Sequence, residues 1–416
     1  MIERMPIYIG HETIEQSIGF CQERAFDRFL LVADSNTYRV LGASISAAYQ
    51  AQGWNVKEVI LESEGLIADD VAAERIFAQY DDQQRLLIAV GSGTITDLTR
   101  YVSSQVQSAF ICFPTAPSVD AYTSIHASMT INHLKYSILC AAPIAIFTDL
   151  TTICAAPQRL IASGFGDLCA KFSSTADWKV SHLIWGTGFS QNIYESGISA
   201  ADRALTHVDA IAVREERGLQ AMMEAQFQSG FTMADFGRSD PASGLEHHIA
   251  HVWEMQADWQ GQHQFLHGEA VGVALLHTAQ GYEKLRAIDK KQAAILLADA
   301  QVPYQVRQEQ DIRQYLAPIA ETILQQKTIY WRLAEVQILQ NTTTRILDCW
   351  EQIQTAAAIV PSVDVLRASF GKLGTPNMPH EIGIVEEDVQ TGLRFAHYLR
   401  ERFGIGILGK LLRFFE

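Results

Sequence analysis

Asp167 in GFGDLCAK, His247 and His251 in SGLEHHIAH, and His267 in FLHGEAVG are the residues of this chain whose types could do chemistry together. One carboxylate and two imidazoles form the donor set of three-coordinate catalytic metal sites, which keep a position open for a substrate oxygen. His247 and His251 stand at i and i+4, so a helix puts them on one face and turns His248 elsewhere. Gly164, Gly166, Ser243, Gly244 and Gly268 flank the candidates and permit close backbone approach. The apolar run Ala270, Val271, Val273, Ala274 and Leu275 reads as a buried helix that would carry His267 rigidly. Helical histidines are also ordinary packed or surface residues, and residue types alone leave that reading standing beside the metal site.

The elements that must position these groups fall into two styles. FLLVAD (29–34), VKEVIL (56–61), LLIAV (86–90), AFICF (109–113) and IAIFTDL (144–150) read as strands, most of them continuously apolar as buried parallel strands are. LGASISAAYQAQ (41–52) and DDVAAERIFAQY (69–80) between them read as crossover helices. This is a doubly wound α/β pattern. From about 157 onward the strand signal gives way to amphipathic stretches: LQAMMEAQFQSGF, AVGVALLHTAQGYEKL, QAAILLADAQ and LRFAHYLRERF. The sequence therefore predicts an α/β domain over 1–156 and an all-helical domain over 157–416, with no internal repeat.

Ligands of open parallel sheets bind beyond the carboxyl ends of the strands, so those loops carry the next expectations. Gly91 and Gly93 in GSGTITDLTRY let backbone amides approach a pyrophosphate, and the following helix offers its N-terminus. Thr96 stands where a third glycine of the usual dinucleotide fingerprint would be. Asp34 ends the first strand, where it either accepts from an adenosine ribose or caps the next helix. PTAPSVDAYTS, stiffened by Pro114 and Pro117, presents Thr115, Ser118, Asp120 and Ser124.

Composition narrows the partners. The 416 residues carry 47 acidic against 32 basic side chains, a formal charge of −15, which argues against nucleic acid or an anionic membrane as the principal partner. Six cysteines are scattered without a CxxC pair, as in reduced thiols, and Cys169 near Asp167 reads as a small buried hydrophobe. MIERMPIYIG lacks a long apolar segment and no run reaches membrane-spanning length, so a soluble cytoplasmic protein is expected.

Taken in order, GSGTITDLTRY, PTAPSVDAYTS, GFGDLCAKFSSTADW, SGLEHHIAHVWEM and LHGEAVGV resemble the successive motifs of the glycerol-1-phosphate dehydrogenase family, in its bacterial AraM-like branch. That family is part of the superfamily of iron-type alcohol dehydrogenases and dehydroquinate synthase. The matching stretches span about residues 29–280, and EIGIVEEDVQTGLRFAHYLRERF near the end is also similar.

The resemblance implies a dehydroquinate synthase-like fold and a metal-dependent reduction of dihydroxyacetone phosphate by NADH or NADPH to sn-glycerol 1-phosphate. It places Asp167, His247 and His267 at the divalent metal, zinc or nickel, and His251 and Asp120 at the substrate. It places Asp34, Gly91, Ser92, Gly93, Thr94, Ile95, Thr115, Ala116, Pro117, Ser118 and Ser124 at the dinucleotide. Homodimers and larger assemblies are common in such enzymes, so the resemblance implies a homo-oligomer, first of all a dimer. Thr96 replaces an Asn of the family motif, and Val119 and Ala121 replace Met and Gly, which narrows the expected pocket near Asp120. Lys171, one helical turn beyond Asp167, is a candidate donor to the substrate phosphate. Glycerol dehydrogenase-like chemistry on another polyol and a dehydroquinate synthase-like cyclase are the competing activities, and a non-catalytic binding protein would have lost a ligand.

Overall fold

The computed structural model describes residues 5–81, 84–131, 134–262, 265–325 and 329–414. The chain divides into two compact units, the first Met1–Leu168 with Thr206–Gly237, the second Cys169–Leu205 with Arg238–Glu416. Among the described residues no helix is long and apolar enough to cross a membrane.

The first unit is built on strands β1 (Ile7–Gly10), β2 (Arg28–Asp34), β3 (Asn55–Leu61), β4 (Leu86–Gly91), β5 (Phe110–Pro114), β6 (His126–Ile131), β7 (Leu134–Leu139) and β8 (Ala145–Asp149). Six of them form one sheet in the order β1-β8-β5-β4-β2-β3, parallel at every pairing. Phe29 to Ala33 and Leu86 to Val90 are fully or almost fully buried, because helices cover both faces of the central strands. Phe29, Leu31, Ala33, Ile88 and Val90 pack with Ile45 and Tyr49 of the helix Ala43–Ala51. Strand β3 lies at the edge and alternates instead, with Val59 and Leu61 buried and Ile60 exposed.

The order of strands reverses between β2 and β4. The chain steps outward from β2 to β3, returns to pair β4 with β2, and continues the other way through β5. The loops leaving β2 and β4 thus open at a switch point, where such sheets bind ligands.

All five strands expected from sequence are present. The structure adds β1, a four-residue edge strand of only half-buried residues, and the antiparallel hairpin of β6 and β7. Leu150 belongs to the helix after β8 rather than the strand, because Asp149 accepts the Thr152 N–H at 2.7 Å and caps that helix. The helix Glu216–Phe236 also packs within the first unit, against the 3₁₀ turn Ala121–Thr123.

All regular secondary structure among the described residues of the second unit is helical. Its two site-bearing helices, Leu245–Trp259 and His267–Ala287, pack on one another, with Ile249, Val252, Trp253, Val271, Val273 and Leu275 all buried. LRFAHYLRERF departs from the expected continuous helix. The α-helix stops at Phe395 and a 3₁₀ turn follows over Ala396–Tyr398, burying His397 and Tyr398.

Candidate metal centre and nucleotide loop

In the second unit the i, i+4, i+7 spacing of His247, His251 and Glu254 puts all three on one face of the helix Leu245–Trp259. His267 opens the facing helix. The ring centroids of His247 and His267 lie 5.5 Å apart, those of His247 and His251 6.3 Å, and His251 stacks on His267 at 5.6 Å.

Each proposed histidine ligand leans on a buried carboxylate. His247 Nδ1 is 2.8 Å from Glu246 Oε1, and His267 Nδ1 is 2.6 Å from Glu254 Oε1. An ionised carboxylate can only accept, so each imidazole donates its Nδ1–H and keeps the Nε2 lone pair for another partner. That arrangement suits a metal-binding histidine.

Glu246 has no exposed surface, and its charge is balanced by three donors: His247, the Ser173 hydroxyl at 2.7 Å and the Gly244 N–H at 2.8 Å. Burial pushes its carboxyl up, but these donors outweigh it and hold it below its ordinary value. Gly244 is required by packing: a Cβ there would meet Ser174 Cα at 2.8 Å and Asp177 Oδ2 at 2.9 Å. Asp177 fastens the start of the same helix, accepting the Leu245 N–H at 2.9 Å, the Ile405 N–H at 2.7 Å and the Tyr282 hydroxyl at 2.5 Å.

His248 does turn away from the other histidines' partners. It is buried rather than solvated, and desolvation holds its imidazole far below the ordinary value. Lys171, considered above for a phosphate, is buried as well, its Nζ 2.9 Å from the Ala242 carbonyl.

In the first unit Asp167 lies on the helix Gln158–Cys169, almost fully buried, and accepts the Asp120 N–H at 3.2 Å. Asp120 belongs to the loop after β5, which the helix Glu216–Phe236 holds at several points. Gln226 donates to the Pro117 carbonyl at 2.8 Å, Thr123 donates to the Phe227 carbonyl at 2.8 Å, and the Ser229 hydroxyl donates to Asp120 Oδ2 at 2.6 Å. Gly230 lets the two segments meet, since a Cβ would stand 2.2 Å from Thr123 Oγ1 and 2.7 Å from the Asp120 carbonyl. Gly164 serves the same loop, its absent Cβ leaving room for the Pro117 carbonyl.

From the other side the buried Arg100 donates to the Ala121, Tyr122 and His126 carbonyls at 2.6, 3.1 and 3.2 Å, neutralised by Asp97 at 2.5 Å. Ser124 accepts the His126 N–H at 3.0 Å, and Tyr122 donates to the Ala116 carbonyl at 2.5 Å. Ser163 donates to the Ser118 carbonyl at 3.4 Å, which completes the loop's attachment. Sequence reading passed over Asp97, Arg100, Gln226 and Ser229. Their signal is polar residues on the otherwise apolar faces of amphipathic helices.

Gly91 closes β4, Ser92 precedes the helix Gly93–Gln105, and Gly93, Thr94 and Ile95 form its first turn with no side-chain cap. The Thr115 N–H donates to the Gly91 carbonyl at 3.2 Å, joining this loop to the one after β5. An uncapped helix N-terminus beyond a parallel strand suits a pyrophosphate. Both glycines also have packing reasons: a Cβ at Gly91 would overlap Ile95, and one at Gly93 would lie 2.9 Å from Val119 Cγ2. Asp34 realises the capping alternative, with Oδ1 accepting the Asn36 and Thr37 N–H groups at 2.8 and 3.0 Å. Thr96 bonds back to the Ser92 carbonyl at 2.9 Å.

Residues 8–157 match the family model described as iron-containing alcohol dehydrogenase. Solved structures agree in fold: glycerol dehydrogenase of Schizosaccharomyces pombe (TM-score 0.61, 17% identity, 100% of this chain and 90% of that one) and NADH-dependent butanol dehydrogenase A of Thermotoga maritima (TM-score 0.65, 12% identity, 99% and 97%). Over residues 8–157 the chain is thus similar to iron-containing alcohol dehydrogenases, and the solved structures share its fold.

Among curated relatives, glycerol-1-phosphate dehydrogenase [NAD(P)+] of Geobacillus thermodenitrificans is 31% identical over 397 residues, 95% of this chain and 89% of the relative. Proteins of the same name are 37% identical over 278 residues in Halalkalibacterium halodurans (66% and 70% covered) and 30% over 399 residues in Bacillus subtilis (95% and 88%). The chain belongs to the glycerol-1-phosphate dehydrogenase family.

Proposed function

We propose that this chain interconverts dihydroxyacetone phosphate and sn-glycerol 1-phosphate, with NAD or NADP as redox partner and one divalent metal, zinc or nickel. Asp167, His247 and His267 are assigned to the metal. The observation that carries the reading is the pair of histidines whose Nδ1 atoms are each held by a buried glutamate, in a family of metal-dependent dehydrogenases.

A bound nicotinamide would supply hydride chemistry, and a divalent metal held by Asp167, His247 and His267 would supply Lewis acidity. The residues of the chain do the rest. Gly91 to Ile95 offer backbone amides to the pyrophosphate, and Thr115 to Ser118 with Ser124 border the same ligand. Asp34 at the end of β2 meets the adenosine ribose with the carboxylate oxygen that the helix cap leaves over, which favours NAD over NADP through repulsion of a 2′-phosphate. Asp120, its Oδ2 fixed by Ser229, accepts from a substrate hydroxyl. His251, stacked on His267, moves a proton to or from the C2 oxygen. All six cysteines are free, which supports a reducing, cytoplasmic setting.

The test is a substrate panel with metal-loaded protein, following nicotinamide absorbance. Dihydroxyacetone phosphate should be reduced far faster than dihydroxyacetone, because donors placed for a phosphate stay unpaired without it. The product should resist an enzyme that oxidises sn-glycerol 3-phosphate. Equal rates on both ketones would refute the phosphate-specific reading.

A further inference from the structure

We propose that Glu246 and Glu254 are positioning residues that set the affinity of the metal centre by holding His247 and His267 through Nδ1. The inference rests on the metal reading given above and concerns residues that touch the ligands rather than the ion.

Two geometries have to be told apart, because His251, Glu254 and His267 also bring donor atoms within 4.8 Å of one another. An ion shared by His267 Nδ1 and Glu254 would sit about 2.0–2.2 Å from each, which in a tetrahedral site spaces the two ligand atoms roughly 3.3–3.6 Å apart. The observed separation is 2.6 Å, a hydrogen-bond distance with no room for a cation between. Glu254 is therefore the partner of a ligand and not a ligand, and the second donor set is the outer layer of the first.

The two carboxylates are built for that task. Glu254 and Glu246 have no exposed surface. A buried carboxylate survives only if paired, and each is paired with the Nδ1 of a proposed ligand. Glu246 additionally ties His247 to the helix start through the Gly244 N–H and to the neighbouring helix through Ser173. Glu254, on the same helix face as His247, reaches across to His267 on the facing helix. Between them the glutamates fix the tautomer and the ring plane of both imidazoles. A free imidazole would lose rotational freedom and select a tautomer on binding the ion, whereas these two have done so beforehand.

The experiment is a competitive zinc titration of the metal-free full chain with a chromophoric chelator, paired with the visible spectrum of the cobalt-substituted protein. Glu254→Gln keeps the shape and a carbonyl acceptor but loses the charge, and should bind zinc roughly 10-fold more weakly. Glu254→Met removes the acceptor and should fall toward roughly 100-fold, with an altered cobalt spectrum. Glu246→Gln should resemble Glu254→Gln. Zinc affinity and cobalt spectrum of Glu254→Gln equal to the wild type, or Glu254→Met binding more tightly than Glu254→Gln, would overturn the inference. His247→Ala separates this from failure of the metal reading itself: if it binds zinc as well as the wild type, the centre is wrongly assigned, and the inference falls with it.

Discussion

Gly93 offers the sharpest test of how the nucleotide loop is built. A Cβ at this position would lie 2.9 Å from Val119 Cγ2 and 3.3 Å from Val119 Cγ1, against ordinary carbon contacts of about 3.5–4.0 Å. Gly93→Ala leaves the helical backbone of residue 93 unstrained, so the overlap with Val119 is the dominant effect. Overpacking of this kind costs about 1–3 kcal/mol. If the strain is relieved by shifting the loops around the dinucleotide, a loss of about 1–2 kcal/mol raises the Kd for NADH roughly 5- to 30-fold. Val119→Ala removes both Cγ atoms and leaves only the Val119 Cβ, at 3.7 Å, so Gly93→Ala should cost almost nothing in that background. Fluorescence titration of NADH against the wild type, both single variants and the double variant gives the interaction energy directly. Equal losses from Gly93→Ala in the two backgrounds would refute the reasoning, because the new methyl would then obstruct the cofactor itself. No loss in either background would remove Gly93 from the cofactor site.

His247→Ala should lose the bound metal and turnover together, measured by metal analysis and nicotinamide absorbance, whereas His251→Ala should keep the metal and lose turnover. His248→Ala should lower stability while sparing metal content, since it empties a buried position rather than a surface one; unchanged urea unfolding would contradict this. Ser229→Ala should remove one support of the Asp120 carboxylate and raise KM for the substrate more than it lowers kcat, read from steady-state kinetics. Burial pushes the Asp177 carboxyl up to about 6, helped by the charge of Glu246, against an ordinary value of 3.8. The native state therefore holds a proton that the unfolded chain has released, and Asp177 withdraws stability as pH rises from about 4 to about 6. Urea unfolding of the wild type minus that of Asp177→Asn should show this decline within that window and a flat difference above it.

The central strands were legible because strands buried on both faces must be apolar throughout, and FLLVAD, LLIAV and AFICF have almost no other reading. The i, i+4 spacing of His247 and His251 was legible for the same kind of reason: the helix repeat turns a spacing in sequence into a shared face, which the helix Leu245–Trp259 realises. Strand β1 and the hairpin of β6 and β7 were not legible. Strand β1 is only four residues long, β6 and β7 mix buried Ala127 and Met129 with exposed Tyr136 and Leu139, and β1 pairs with β8, remote in sequence. Gly93 shows the limit most clearly. Its type announces that something approaches the backbone, but only the folded chain shows Val119 there. Glu246, Glu254, Ser229 and Arg100 look like ordinary polar residues of amphipathic helices. They become supports of the site only when tertiary packing buries them, because burial removes water as a partner and obliges each to find one in the protein.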